Sequence, residues 1–256
     1  MSDKTTIDPA DIAECIFYHA MDLPGIGYVH GPWDLRGDFA RYTGNIDFGG
    51  RSVLDVGTAS GFLSFSAEQA GASRVVSFDM DTAHRQTLQP FVESVYYTDH
   101  DRWLVEQTAY IKRWQNGYHL AHRALQSNAV AVYGDVYAMP KSLGTFDIVL
   151  VCALLEHLSD PIKALASIAR RTADIMVLGA YIPAPIEEPM AWYLGVSSNP
   201  VTASVHWAYS LPVYREVLTM LGFEIESVTN GMFKEQAGPS PRTTIIARRK
   251  AKLTPA

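Results

Sequence analysis

From Arg51 onward the sequence alternates short apolar, β-branched runs with stretches of helical period, the pattern of βαβ units wrapped around a buried parallel sheet. Strands are predicted over Ser52–Val56, Arg74–Phe78, Ala129–Tyr133, Asp147–Cys152 and Asp174–Gly179. Between them lie predicted helices Gly61–Ala70, Thr82–Val92, Arg102–Ser127 with a break at Asn116–Gly117, and Pro161–Arg171. The chain then reads as helix Pro212–Leu221 and strands Phe223–Val228 and Thr243–Arg248, joined across 231–241 into an antiparallel hairpin. This is an α/β chain with a doubly wound, seven-stranded, mostly parallel sheet. Ligands of such sheets sit beyond the carboxyl ends of the strands, so functional residues are sought there.

Ahead of the first strand, Asp8–Pro9 reads as a helix start, with Ile12, Cys15, Ile16 and His19 at helical spacing until Pro24–Gly25. The Gly- and aromatic-rich stretch that follows reads as loop with a short helix around Gly37–Thr43. We therefore divide the chain into an N-terminal helical and aromatic lid, 1–50, and a sheet domain, 51–256. That domain carries insertions at about 93–128 and 180–210, the second too rich in proline (Pro183, Pro185, Pro189, Pro200) for regular structure. At 256 residues the chain is near the upper edge of what a single core organises. Its 48% hydrophobic and 19% charged residues exclude a disordered chain, and a net charge of −6 makes nucleic acid an unfavoured partner. Two cysteines, Cys15 and Cys152, cannot make a disulfide framework, which fits a reducing cytoplasm. The acidic N-terminus lacks the order of a signal peptide, and no apolar run approaches the ~20 residues that span a bilayer.

The stretch Val53–Leu63 holds the strongest functional signal. Gly57 and Gly61 follow a strand and open a helix, which lets backbone pass close to a ligand while helix N–H groups face it. Asp79 ends the second strand, placed to accept hydrogen bonds from two ribose hydroxyls. The loop lacks the G-x-G-x-x-G spacing of dinucleotide enzymes and has an acid, Asp55, two residues before its first glycine.

The D-x-G-x-x-x-G loop, Asp79, Gly134–Asp135–Val136 and Phe146–Asp147–Ile148–Val149–Leu150, in that order, resemble class I S-adenosylmethionine (SAM)-dependent methyltransferases, whose fold is Rossmann-like. The resemblance implies that Gly57 and Gly61 lie under the methionine part of the cofactor and that Asp79 holds the ribose. It further implies that Asp135 meets the adenine amino group with Val136 against the ring, and that Asp55 lies near the ammonium group. Thr58, Phe62, Met80 and Cys152 join the same cofactor set. Asp135 can also be read as a turn residue. Three looser motifs, His19–Gly25, Gly31–Arg36 and His122–Leu125, are similar to the enzymes that form carboxymethyl and methoxy groups on wobble uridine of tRNA and to their small-molecule relatives. In that subset the segment before the sheet covers the cofactor, so Trp33 and Arg36 are expected at its rim, or Trp33 as a core plug.

Methyl transfer from a sulfonium needs alignment more than acid catalysis, with a base only for a hydroxyl or a protonated amine. His157, after the fourth strand, and His206, in the Pro-rich insertion, are the candidate bases; each has a structural alternative. Tyr28, His157, His206, Trp207 and Tyr209 are the expected substrate contacts. His119 and His122, three apart, have no adjacent acid, and no metal is expected. Tyr96, Tyr97, Trp103, Tyr110, Trp114 and Tyr118 add aromatic surface read as a pocket wall or a homo-oligomer interface. The expected function is methylation of an O or N atom of a small, aromatic molecule, with SAM as cofactor and S-adenosylhomocysteine (SAH) as product. A tRNA-modifying enzyme and a catalytically silent SAM-binding scaffold are the alternatives.

Overall fold

The structure is a computed structural model that describes residues 9–85, 100–194 and 206–252. Helix α1 (Pro9–Ala13) leads into a small antiparallel ribbon, β1 (Met21–Leu23) and β2 (Gly27–Val29), then β3 (Trp33–Asp34) and α2 (Phe39–Tyr42). The sheet domain runs β4 (Ser52–Val56), α3 (Phe62–Gln69), β5 (Arg74–Asp79), α4 (His100–Leu125), β6 (Val130–Tyr133), β7 (Phe146–Cys152), α5 (Pro161–Ala169) and β8 (Thr172–Ala180). It ends with β9 (Ala191–Tyr193), β10 (Trp207–Tyr209), α6 (Leu211–Met220), β11 (Phe223–Glu235) and β12 (Gly238–Arg249).

The main sheet has the order β3-β11-β12-β8-β7-β4-β5-β6. The pairings among β8, β7, β4, β5 and β6 are parallel, whereas β12, β11 and β3 add on antiparallel. Chain order reverses between β4 and β7, the kind of switch point where a crevice opens at the carboxyl ends. Side chains alternate across the strands. Val53, Ile148, Leu150 and Val177 face α3 and α4 on one side, and Leu54, Val149, Val151 and Leu178 face α5 and α6 on the other. Two apolar layers therefore hold the strand ends fixed.

Several expectations are corrected. The sheet has eight strands, not seven, because Trp33–Asp34 pairs with Glu235 and Lys234 at the hairpin edge, and two residues are too few to show a strand period. The N-terminal helix ends at Ala13 rather than near Pro24, because the next backbone groups bond elsewhere: Ile16 N–H donates to Arg113 O (3.0 Å) and Tyr18 N–H to Ser60 Oγ (2.9 Å). α4 runs unbroken through Asn116–Gly117. A Cβ at Gly117 would lie 2.3 Å from the carbonyl oxygen of Ile16, so this glycine admits a crossing backbone and does not break the helix. The final hairpin is longer than expected, since Pro239 and Pro241 lie beyond the last β8 pairing at Thr243, where a missing N–H costs no ladder bond. The Pro-rich insertion is not wholly irregular: β9 and β10 pair within it, with Trp207 opposite Tyr193. Of the helix expected over Thr82–Val92, the turn Ala83–Arg85 is seen and the rest, like Tyr96 and Tyr97, lies outside the described residues.

Candidate functional site

At the carboxyl ends of β4, β5 and β7 lies a cavity of about 370 Å³, within the usual ~300–1,000 Å³ of small-molecule sites. Its floor is the loop Gly57–Thr58–Ala59, with Asp79 at the end of β5 and Met80 after it, Asp135 and Val136 after β6, and Cys152 at the end of β7 with Leu154 and His157 after it. The backbone explains the glycines. Gly57 has φ +81°, and a Cβ there would press on Leu154 at 3.0 Å; Gly61 has φ +89°, and its Cβ would strike the Phe65 ring at 2.4 Å.

The carboxylates are held in distinct ways. Asp79 accepts from the Ala59 and Met80 N–H groups, both at 2.7 Å, and burial pushes its carboxyl above the ordinary range. Asp135 accepts from Tyr137 N–H (2.8 Å) and pairs with Arg85 (3.2 Å), which also holds Asp81. Asp55 is 1% exposed and lies outside the cavity wall. Its Oδ2 accepts from Thr58 Oγ1 (2.8 Å) and Ser64 Oγ (2.7 Å), and a chain of hydroxyls continues: Tyr118 donates to Ser77 (2.9 Å) and Ser77 to Ser64 (2.6 Å). Oδ1 has no partner among the described residues. Burial dominates these hydroxyl bonds and pushes the Asp55 carboxyl up to about 6.

The opposite wall comes from outside the sheet. Ile16, Phe17, Tyr18, His19, Pro32 and Trp33 cross over the strand ends and meet Tyr42 of α2 and Tyr110 and Trp114 of α4. This crossing segment is fastened at several points: Ala20 N–H to Trp33 O (2.7 Å), Trp33 N–H to Tyr18 O (3.2 Å) and Gln236 N–H to Pro32 O (2.7 Å). His19 stacks on Phe62 at 5.2 Å and meets Tyr18 edge-on at 5.0 Å. Burial lowers its imidazole to about 3, so it is neutral at ordinary pH. Tyr18 is pushed up to about 12, chiefly by burial.

Of the residues singled out from sequence, Trp33, Gly57, Thr58, Asp79, Met80, Asp135, Val136, Cys152 and His157 meet in this wall. Gly61 and Phe62 start α3 just behind it. Arg36 and Tyr28 do not reach it. The Arg36 guanidinium is taken up by Asp34 (2.8 Å) and Asp22 (2.8 Å) and lies 4.6 Å over the Tyr28 ring, so the pair braces the β1–β2 ribbon, and Tyr28 is 53% exposed. His206, Trp207 and Tyr209 are also absent from the described wall. The backbone N–H of His206 donates to Glu156 O (2.7 Å) and Trp207 Nε1 to Ser159 O (3.2 Å), which seats the insertion on the loop after β7, while Tyr209 packs edge-on against Tyr214 of α6. Sequence reasoning gave no site role to His19, Tyr18, Tyr42 or Leu154. The motif His19–Gly25 was the available signal for His19.

A doubly wound sheet with a glycine loop, an acid at the second strand end and an apolar cavity over its switch point defines a Rossmann-like methyltransferase fold. Residues 34–228 match the family model described as "Methyltransferase domain", and the chain belongs to that family. Among solved structures, the fold is similar to magnesium protoporphyrin IX methyltransferase from Synechocystis PCC 6803 with bound SAH, at TM-score 0.54 and 16% identity over 84% of this chain and 82% of that one. It is similar to 1,6-didemethyltoxoflavin-N1-methyltransferase from Burkholderia thailandensis, at TM-score 0.53 and 16% identity over 85% and 82% of the two chains. A SAM-dependent methyltransferase from Methanosarcina mazei matches at TM-score 0.52 and 14% identity over 81% and 95%. Among the described residues no helix is long and apolar enough to cross a membrane, and no group of three or more His, Cys, Asp or Glu could hold a metal ion.

Proposed function

We propose that this chain is a SAM-dependent methyltransferase acting on an O or N atom of a small, aromatic molecule. The observation that carries the reading is the make-up of one cavity, in which acids and glycine backbone come from the strand ends and aromatic rings come from the crossing segment, α2 and α4. The residues fit the cofactor. The left-handed Gly57 leaves a cradle that a Cβ would narrow, Asp79 stands at the wall with its oxygens anchored, and one buried oxygen of Asp55 has no partner among the described residues. In this reading Asp79 holds the ribose hydroxyls, Asp135 and Val136 receive the adenine, Gly57 and Thr58 pass beneath the methionine part, and Asp55 lies toward its ammonium group. Bound SAM supplies a methyl group on a sulfonium, and its departure leaves a neutral thioether that needs no acid.

The protein's own work is to align the acceptor and exclude water, which the ring-lined wall suits. His157, in the wall, is the candidate base for an acceptor proton; His206 is assigned to holding the insertion. A flat acceptor suits this wall, as the names of the Synechocystis and Burkholderia enzymes illustrate for their own substrates. The net charge of −6 favours such an acceptor over RNA. Calorimetry with SAM and SAH tests the first half: failure of both to bind at about 1 mM removes the reading. Labelled methyl transfer into small-molecule extracts and into tRNA tests the second, and label in tRNA alone replaces the acceptor class.

A further inference from the structure

The methyltransferase reading above leaves the chemistry of the acceptor open, and the wall opposite the strand ends bears on it. Two side-chain nitrogens there, His19 Nδ1 and Trp114 Nε1, are buried with no hydrogen-bond partner among the described residues, and so is Nε of Arg242, which stands behind the wall residue Trp33 and is not itself in the lining. His19 and Trp114 line the cavity directly. The Arg242 guanidinium lies 4.6 Å over the ring of Trp33, itself a wall residue, and 6.0 Å from the Tyr181 ring. Register puts it at the right end of the sheet, because the next residue, Thr243, pairs with Ala180, the last residue of β8. A Cβ at the adjacent Gly179 would meet Tyr42 at 3.1 Å and Cys152 at 3.2 Å, both wall residues.

Arg242 differs from the other arginines around the site. Arg36, Arg41 and Arg85 are each paired with aspartates. Among the described residues Arg242 donates only to the carbonyl of its neighbour Pro241 (3.0 Å), and no carboxylate is in ion-pair contact with it, although Glu156 and Glu235 are near enough to bias the same Tyr18 hydroxyl. Trp and Arg nitrogens can only donate, so Trp114 Nε1 calls for an acceptor and the guanidinium of Arg242 for a negatively charged one. A planar guanidinium stacked on an indole is suited to a carboxylate attached to an aromatic ring.

We propose that Arg242 is a specificity-determining residue that binds the carboxylate of the methyl acceptor, which makes the substrate class small aromatic carboxylic acids. The test is calorimetric and uses the intact protein saturated with SAH. Benzoate, salicylate and anthranilate are each titrated against the matching uncharged amide, in the wild type, Arg242→Gln and Arg242→Lys, after thermal melting has shown that the variants fold and SAH titration that they bind it as the wild type does. At least one acid is expected to bind about tenfold or more tightly than its amide, with the preference lost in Arg242→Gln and partly kept in Arg242→Lys. If SAH binds but no acid is preferred over its amide, or the preference survives in Arg242→Gln, the assignment of Arg242 is overturned while the cofactor reading stands. If SAH does not bind the wild type, both fall together.

Discussion

Asp55 offers the most quantitative test of the site, through replacement by asparagine. Its folded carboxyl is pushed up to about 6 from an ordinary 3.8, chiefly by burial. Between those two values the folded protein holds a proton that the unfolded chain has released, so stability falls as pH rises through this window. The full shift corresponds to ~3 kcal/mol, of which about 2 kcal/mol is lost between roughly pH 4.5 and pH 7.5. Asparagine keeps one oxygen for the Thr58 and Ser64 hydroxyls but does not ionise, and its amide takes the place of the unpartnered Oδ1, at a cost of ~1–3 kcal/mol at every pH. The absolute stability of Asp55→Asn therefore depends on how that amide settles, whereas its pH dependence does not. Urea unfolding of both proteins, followed by circular dichroism at about pH 4.5 and 7.5, should show the variant gaining ~2 kcal/mol on the wild type as pH rises. A stability difference that does not change with pH, or that changes in the opposite sense, would refute the account of a buried carboxylate strained by desolvation. Saturating SAH should flatten the wild-type slope, since a neighbouring ammonium favours the ionised form.

Further outcomes follow from the same geometry. Asp79→Ala should weaken SAH binding by ~1.5–3 kcal/mol through loss of charged hydrogen bonds, and unchanged affinity in calorimetry would take Asp79 off the ribose. Gly117→Ala gains helix propensity of ~1 kcal/mol, yet its Cβ meets the Ile16 carbonyl at 2.3 Å, so a net loss of ~1–3 kcal/mol is expected in chemical denaturation. A rise in stability would contradict the close crossing. Arg36→Ala should leave SAH affinity within about twofold and cost under ~1 kcal/mol, because its ion pairs are partly solvated; a large drop in affinity would return Arg36 to the cofactor site.

What the sequence made legible was local in origin. The strands announce themselves by β-branched runs, and Asp79, the last residue of β5, and Asp135, two residues beyond β6, are found by counting from those strands, because side-chain period and strand length fix which residue leaves the sheet. The glycine loop was readable for the same reason, since Gly57 and Gly61 need backbone angles that other residues avoid. The far wall was not legible in this way. His19 sat at helical spacing in a segment that is extended, because its neighbours bond to Arg113 and Ser60, partners distant in sequence. Gly117 looked like a helix break when its purpose lies in a backbone passing outside the helix. Arg242 carries no local signal at all; its meaning comes from Trp33, on the far side of the chain. For Arg36 the motif points to the cofactor rim, whereas two nearby aspartates take up its charge in the structure.

The crossing segment also decides what can be exchanged between members of this fold. Phe17, Met21, Leu23, Val29, Trp33 and Leu35 belong to the same apolar cluster as Val53, Ile148 and Val177 of the sheet. A chimera cut just before the first parallel strand would thus strip one core layer and leave Gly117, Ser60 and the tip of the last hairpin facing water without their partners. Transplanting the acceptor wall into a relative requires moving those three docking points with it, so specificity in this architecture is inherited as a tertiary package rather than as an N-terminal cassette.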